Sequence, residues 1–360
     1  MNHETLGIYI LIVNGGSTST KVSVYQDEKP ILNQTISHPQ KELKKFHDIW
    51  EQYEYRKAAI LDLLKQRNLS LERFDVIAGR CGTIKPVPGG IYRITPSMLR
   101  DMKSKVYGNH PANVVSQVAY DLAQRLNIPA ITVDPPVTDE MSVPAKYTGL
   151  PQIKRQSSFH ALNQKATARK AAKVLGKPYD QLNLIVLHLG GGISVGAHRK
   201  GRVVDANNAL NGDGPFSPER AGSLPTGELI NLCFSGEYTR EEMHQLISSK
   251  GGLMAHLGTT DILEIEKRIH SGDEKAREVF EAMGYQVAKE VGAAAAVLDG
   301  KVDAIALTGN LANSRKLVDI IKKKTAFIAP FYLFPGENEM EALALGALKL
   351  IKGKEMALEY

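Results

Sequence analysis

Apolar residues in this chain fall in short, dense runs that stop at clusters of glycine and hydroxyl residues. The run Ile8–Val13 ends at Asn14-Gly15-Gly16-Ser17-Thr18-Ser19-Thr20-Lys21, and a second apolar segment, Val22–Tyr25, follows at once. This reads as strand, tight turn, strand, the glycines permitting backbone conformations that other residues avoid. Lys29–Ile36 continues as a third strand, and a helix is expected around Glu51–Asn68. Phe74–Ala78 is a short buried strand ending at Gly79-Arg80-Cys81-Gly82. The segment Gly82–Tyr92, with Pro86, Pro88, Gly89 and Gly90, is expected to be a loop. In His110–Asn127 a helical stripe collects Val115, Val118, Ala119, Leu122 and Leu126. Ala130–Val133 is again a strand, and it ends at Asp134.

A proline- and glycine-containing stretch between Asp134 and Leu150 marks a boundary, after which the pattern repeats. Ser157–Gly176 predicts a helix. The apolar run Asn183–Leu189 then meets Gly190-Gly191-Gly192-Ile193-Ser194, followed by strands over Val195–His198 and Arg202–Ala206. With His188 set over Asn14 the offset is 188 − 14 = 174 residues, and Gly190 falls over Gly16. Two halves opening on the same strand-turn-strand predict a duplicated domain. A polar loop over Ala206–Gly227 comes next, with helices around Gly227–Phe234 and Arg240–Ser248 and a glycine-punctuated loop at Gly251–Gly258. A long helix over Glu274–Leu298 precedes the strand Ala304–Leu307, which ends in Thr308-Gly309-Asn310. Helices over Asn313–Lys324 and Glu337–Lys352 complete the chain.

Composition narrows the function classes. With 360 residues there is room for two ordinary domains, and 43% hydrophobic with 23% charged residues is the balance of a soluble globular protein. The net charge of +6 comes from 45 basic and 39 acidic residues that are interspersed, so nucleic-acid binding is unmotivated and small anionic substrates fit as well. The densest cluster, Lys322-Lys323-Lys324, reads as the solvated last turn of a helix. Two cysteines without metal-ligand spacing imply reduced thiols and a cytoplasmic protein, with neither a good nucleophile. The amino-terminal apolar run is too short to cross a bilayer. The turn Asn14–Lys21 concentrates backbone N–H groups, an amide, hydroxyls and a lysine, which is what a phosphate chain needs; a polar hairpin tip is the plainer alternative. Neither G-x-x-x-x-G-K-S/T nor G-x-G-x-x-G is present there.

Three elements together carry a resemblance: the NGGSTSTK hairpin, the HLGGGISVGAHRKG hairpin and the TGNLAN strand end. They are similar to the phosphate-one, phosphate-two and adenosine signatures of the actin-like ATPase superfamily. Within it, N-x-G-S-x-S-x-K at Asn14–Lys21 and H-x-G-x-G-x-S-x-x-A-x-x-x-G at His188–Gly201 resemble the two patterns of the acetate and butyrate kinase family, over nearly the whole chain. The resemblance implies an α/β fold of duplicated actin-like, ribonuclease H-like domains with mixed sheets flanked by helices, and an active site in the interdomain cleft. Domains of 1–143 plus 341–360 and of 144–340 are expected, the first on the carboxylate and phosphate side and the second on the nucleotide side.

By the same resemblance, Asn14, Gly16, Ser17, Ser19 and Lys21, with His188, Gly190, Gly191 and Gly192, would hold the phosphates of ATP or ADP, and Thr308, Gly309 and Asn310 the adenosine. Arg80 resembles the arginine at the substrate carboxylate, Asp134 the essential aspartate near metal and phosphoryl group, His160 the histidine facing the transferring phosphate, and Arg220 the second active-site arginine. Glu339 matches the magnesium-associated glutamate, with Asp134 as the other carboxylate for Mg²⁺, and His110 a helix-start histidine, expected with Arg80 and Gly82 in the substrate pocket. His160 could equally be a satisfied core histidine, Glu339 a first-turn helix residue and His110 a cap. The butyrate branch is the closer match. The acetate branch carries a bulky aliphatic two residues after the carboxylate-binding arginine, where this chain has Gly82; its absence should open room for methylenes worth about 0.8 kcal/mol each when buried. Gly15 departs from the proline or alanine usual there, and the chain begins several residues early.

The reaction that the resemblance implies is reversible transfer of the ATP γ-phosphoryl group to a short-chain carboxylate, butyrate on the closer branch, giving the acyl phosphate and ADP by direct in-line displacement. A carboxylate is already deprotonated at neutral pH, so no general base is needed. The difficulty is bringing an anion to a polyanion, which two arginines, a histidine and Mg²⁺ address. Another short-chain acid (acetate, propionate or a branched acid) and a non-catalytic actin-like nucleotide switch are the alternatives. The expected partners are the acid, ATP and further copies of the chain in a homodimer or larger homo-oligomer, with no nucleic acid and no membrane.

Overall fold

The computed structural model describes residues 7–360 and divides the chain into two compact units, the first running to Thr138 and resuming at Asn338–Tyr360, the second Asp139–Glu337. The extra residues at the amino terminus lie outside the described ones. Each unit is built on one mixed sheet.

In the first unit, strands β1 (Tyr9–Gly15), β2 (Ser19–Gln26), β3 (Lys29–Ser37), β4 (Val76–Gly79), β5 (Ile91–Arg93) and β6 (Ala130–Val133) lie in the order β3-β2-β1-β4-β6-β5. β1, β2 and β3 run antiparallel, whereas β1, β4 and β6 are parallel. β1 is buried along its whole length. Because side chains alternate across a strand, Leu11 and Val13 join one core with Val22, Val24, Ile77 and the stripe Val115, Val118 and Ala119 of the helix Pro111–Leu126. The helix Glu339–Ile351 returns to this sheet, and Gly346 lets its backbone approach Val133.

In the second unit, β7 (Asn183–Leu189), β8 (Ile193–Arg199), β9 (Arg202–Ala206), β10 (Ala304–Gly309) and β11 (Phe331–Pro335) take the order β11-β10-β7-β8-β9. β7, β8 and β9 are antiparallel, and β7, β10 and β11 parallel. Read from β9, this is the order and sense of β3-β2-β1-β4-β6, so the duplication predicted from the hairpins extends to five strands. Ile185, Leu187 and Leu189 pack under the helices Glu274–Val297 and Arg315–Thr325; Leu184 and Val186 face the helix Ala161–Leu175 through Ala168, Ala171 and Ala172. Lys322, Lys323 and Lys324 are exposed in the last turn of their helix, as expected.

Three local expectations change. The helix anticipated from Ser157 starts at Ala161 instead. Before it, the Ser158 carbonyl accepts from Ala209 N at 2.9 Å, and Phe159 is drawn into a small core with Val203 and Ala206. Gly251–Gly258 is a short helix, Gly252–Leu257, its glycines serving the ends; Gly258 closes it at φ 73°. Ile91 and Tyr92 leave the expected loop to pair with Val133 and Thr132 as β5. Burial pushes the Cys81 thiol up to about 12, in keeping with an unreactive core cysteine.

Candidate active site

In the first unit the chain brings together three of the expected residues. Asn14 stands near the end of β1, opposite Lys21. Arg80 follows β4, and its backbone N–H donates to Val13 O at 2.9 Å, so the parallel ladder itself sets Arg80 beside Asn14. Glu339 opens the last helix, where a carboxylate is favoured by the helix dipole. Asn14 Nδ2 donates to Glu339 Oε2 at 2.9 Å, and Arg80 Nη2 lies 3.2 Å from Glu339 Oε1. Glu339 therefore orients both a turn amide and a guanidinium. At the hairpin tip Ser17 and Thr18 are exposed, and Gly16 N–H donates to Ser19 O at 2.9 Å.

Asp134 is fully buried just past β6, with φ +41°. Its N–H donates to Gly90 O and its Oδ1 accepts from Gly90 N–H, both at 2.9 Å, and this pairing holds a left-handed conformation that costs about 1–3 kcal/mol. His110 is the N-cap of the helix Pro111–Leu126, its Nδ1 accepting from Ala112 N–H at 3.1 Å. The room expected at Gly82 is not there. A Cβ on Gly82 would run into the Asn113 amide, whose Oδ1 accepts from Thr83 N–H at 2.9 Å. Gly82 admits Asn113, not substrate methylenes.

Arg56 was not singled out from the sequence. It is fully buried, donating from Nε to Gln52 Oε1 at 2.9 Å, from Nη1 to Ser19 O and Thr20 Oγ1 at 3.0 Å, and from Nη2 to Ser17 O at 3.2 Å. A buried cation thus braces the carbonyls of the first turn, and no carboxylate is among these acceptors. The available signal was an arginine on the apolar stripe of Ile60, Leu63 and Leu64.

The second unit gathers His188, Thr308, the triple-glycine turn, His160 and Arg220. Thr308 is the register partner of His188. A Cβ on Gly190 would come within 2.8 Å of His188 Nε2, and one on Gly192 would overlap the Arg220 guanidinium. The turn must therefore be glycine for these two side chains to lie where they do. Arg220 Nη1 donates to Ala209 O, and its buried Nε has no acceptor among the described residues. Gly309, at φ 89°, lies against the Leu189 carbonyl; Asn310 is exposed beyond it. The His160 and His188 rings stack at 3.7 Å, inclined by 13°. Asn163 Nδ2 lies 2.8 Å from His188 Nδ1, and Ser194 Oγ lies 3.0 Å from His160 Nδ1. The sequence reading missed Asn163 and Gln164, polar residues fully buried on the helix that His160 begins.

No group of three or more His, Cys, Asp or Glu suited to a metal occurs among the described residues. Asp134 and Glu339 are buried carboxylates of the first unit, and Mg²⁺, which dehydrates reluctantly, is commonly held by one or two carboxylates, waters and substrate phosphates.

Burial keeps three imidazoles neutral. His110 is lowered to about 4 by burial and then by the charges of Arg80 and Arg56, and His38 to about 4 by burial and then Arg56. His198 lies well below 6.5 through burial, then Lys165 and Arg169. Below pH 6.5 the unfolded chain takes up protons that the folded one refuses, so stability is lost as pH falls from about 6.5 towards 4. Urea midpoints should fall steadily over that window, and less steeply in His110→Asn, which keeps a competent cap. Equal slopes for the two proteins would exclude His110 as a source.

Residues 132–329 match the acetokinase family. The chain is 48% identical to butyrate kinase 2 of Clostridium acetobutylicum over 98% of its own length and 99% of that protein. Among solved structures, the acetate kinase of Porphyromonas gingivalis superposes with a TM-score of 0.76 at 20% identity, covering 96% of this chain and all (100%) of that one. A propionate kinase from Francisella tularensis gives 0.75 at 18%, covering 94% and 98%. At such identities these structures speak for the fold alone.

Proposed function

The chain belongs to the acetokinase family and is a carboxylate kinase; on that premise we propose that it transfers the γ-phosphoryl group of ATP reversibly to butyrate, giving butyryl phosphate and ADP. The observation that carries the choice of acid is the near-full-length likeness to a relative named for butyrate.

Direct displacement fits the residues that each unit gathers. Arg80 binds the substrate carboxylate, its guanidinium pre-set by Glu339 at 3.2 Å, and no base is required because the nucleophile is already an anion. Asn14 and the hydroxyls of Ser17 and Ser19, with Lys21, serve the phosphates, and Arg56 stiffens that turn from behind. On the nucleotide side His188 and the Gly190–Gly192 turn face phosphate, while Thr308, Gly309 and Asn310 lie towards adenosine. Arg220 neutralises the developing charge; its unspent Nε–H is a donor awaiting an oxygen. His160 donates a hydrogen bond to the transferring group. Asp134 and Glu339 would hold Mg²⁺ largely through water, and the ion would neutralise phosphate oxygens. The protein is read as cytoplasmic and homo-oligomeric.

The test is a hydroxamate assay of acyl phosphate formation with ATP, Mg²⁺ and acids from two to five carbons. Butyrate should give the highest kcat/KM. Acetate outperforming every four-carbon acid would move the assignment to another acid, and no acyl phosphate with any of them would end it.

A further inference from the structure

The helix Ala161–Leu175 turns polar side chains inward, and their hydrogen bonds have a readable direction. Gln164 Nε2 lies 3.2 Å from the Ser194 carbonyl oxygen and 2.7 Å from the Ser194 hydroxyl. A carbonyl only accepts, so this end of the amide is NH₂ and the other end accepts. That acceptor, Gln164 Oε1, lies 3.0 Å from His198 Nε2, which must then carry a proton. His198 is fully buried and held neutral, so its Nδ1 accepts from the Tyr179 hydroxyl at 2.7 Å. The Ser194 hydroxyl accepts from Gln164; its own proton finds one acceptor among the described residues, His160 Nδ1 at 3.0 Å. Ser194 is fully buried, and leaving that donor unspent would cost about 1–3 kcal/mol. Every donor therefore points the same way, from Tyr179 through His198, Gln164 and Ser194 to His160.

We propose that Ser194, Gln164 and His198 are positioning residues whose directional hydrogen-bond chain fixes His160 as a neutral imidazole protonated on Nε2, so that it offers the transferring phosphoryl group a donor and not a lone pair. The inference rests on the reading of His160 given above. Two further observations agree with it. His188 stacks on His160 at 3.7 Å, a separation at which two imidazolium rings would repel. Gly196, inside the second hairpin pattern, is demanded by the chain, since a Cβ there would strike Gln164 Oε1. Phosphoryl oxygens are acceptors only, so the wrong tautomer would face them with a lone pair and lose the bond outright.

The test combines two-bond ¹H–¹⁵N correlation spectra of histidine-labelled enzyme with steady-state kinetics. Wild-type His160 should carry its proton on Nε2 alone near neutral pH. Ser194→Ala should give mixed tautomers and lower kcat about 10–100-fold, as loss of a hydrogen-bond partner does for metal-ligating histidines, while KM for ATP and acid moves no more than about twofold. Gln164→Glu, which accepts but cannot donate, should turn the Ser194 hydroxyl towards itself and invert the His160 tautomer. A wild-type ring protonated on Nδ1, or Ser194→Ala with unchanged tautomer and kcat, overturns the proposal even if Gln164→Glu does not fold. His160→Ala with undiminished turnover overturns instead the reading beneath it, and with it the role given to the chain.

Discussion

Arg80→Ala should lower kcat/KM for the acid by about a thousandfold, while ATP binding in equilibrium dialysis should stay within about threefold of wild type. Two effects add. On the proposed reading the substrate carboxylate loses its cationic anchor, and Glu339, 3.2 Å from Arg80 Nη2 in the native protein, becomes a largely buried anion that keeps the Asn14 amide as a donor. Where Mg²⁺ does not balance it, a carboxylate about 5 Å from an incoming anion repels it by about 3 kcal/mol at an effective dielectric constant near 20, which is over a hundredfold by itself. The two parts separate in a double variant. Arg80→Ala with Glu339→Gln removes the stray charge and keeps an acceptor for Asn14, so it should regain about tenfold in KM for the acid without restoring kcat. Arg80→Lys should recover little, because a point charge does not reproduce the planar fork. A single alanine variant within tenfold of wild type would remove Arg80 from the chemistry.

How much of this was legible in the sequence depended on range. The two hairpins were, because turn glycines and alternating apolar residues are local signals, and the pairing of Asn14 with Lys21 and of His188 with Ser194 follows from adjacency along the chain. Arg80 and Glu339 could be named, but not their ion pair, which joins residues brought together only when the last helix returns to the first sheet. Gly82 was given the wrong physical reason for the same cause. Its neighbour in space, Asn113, lies 31 residues on (113 − 82), and nothing near Gly82 announces that an amide fills the gap. The polar face of Ala161–Leu175 was hidden differently. Asn163, Gln164 and Lys165 look like a solvated helix face until the hydrogen bonds show that each is spent on a buried partner. Arg56 and Lys165 are charges that lie inside, one bracing the Ser17 and Ser19 carbonyls and the other the Gly201 carbonyl.

Lys165→Met should cost more stability than any other single change considered for the second unit. Lys165 Nζ lies 2.8 and 2.9 Å from the two Glu140 oxygens and 3.3 Å from the Gly201 carbonyl oxygen, and the side chains of the pair are 4% and 6% exposed. Glu140 Oε2 also accepts from Val203 N–H at 2.8 Å, so the pair ties the helix that His160 begins to the β8–β9 turn. Removing the lysine takes from buried Glu140 the cation that holds both its oxygens, a loss of the kind that costs about 3–5 kcal/mol and, at about 2–4 °C per kcal/mol for a unit of this size, lowers Tm by about 6–20 °C. Desolvation makes such a pair a weak net stabiliser, so the companion variant Lys165→Met with Glu140→Gln, which still accepts from Val203, should return to within about 1–2 kcal/mol of wild type. Thermal melts of the three proteins decide the point. If the double variant were no more stable than the single, packing of the lysine stem and not the balance of charge would hold the helix, and the buried pair would lose its place as the anchor of His160.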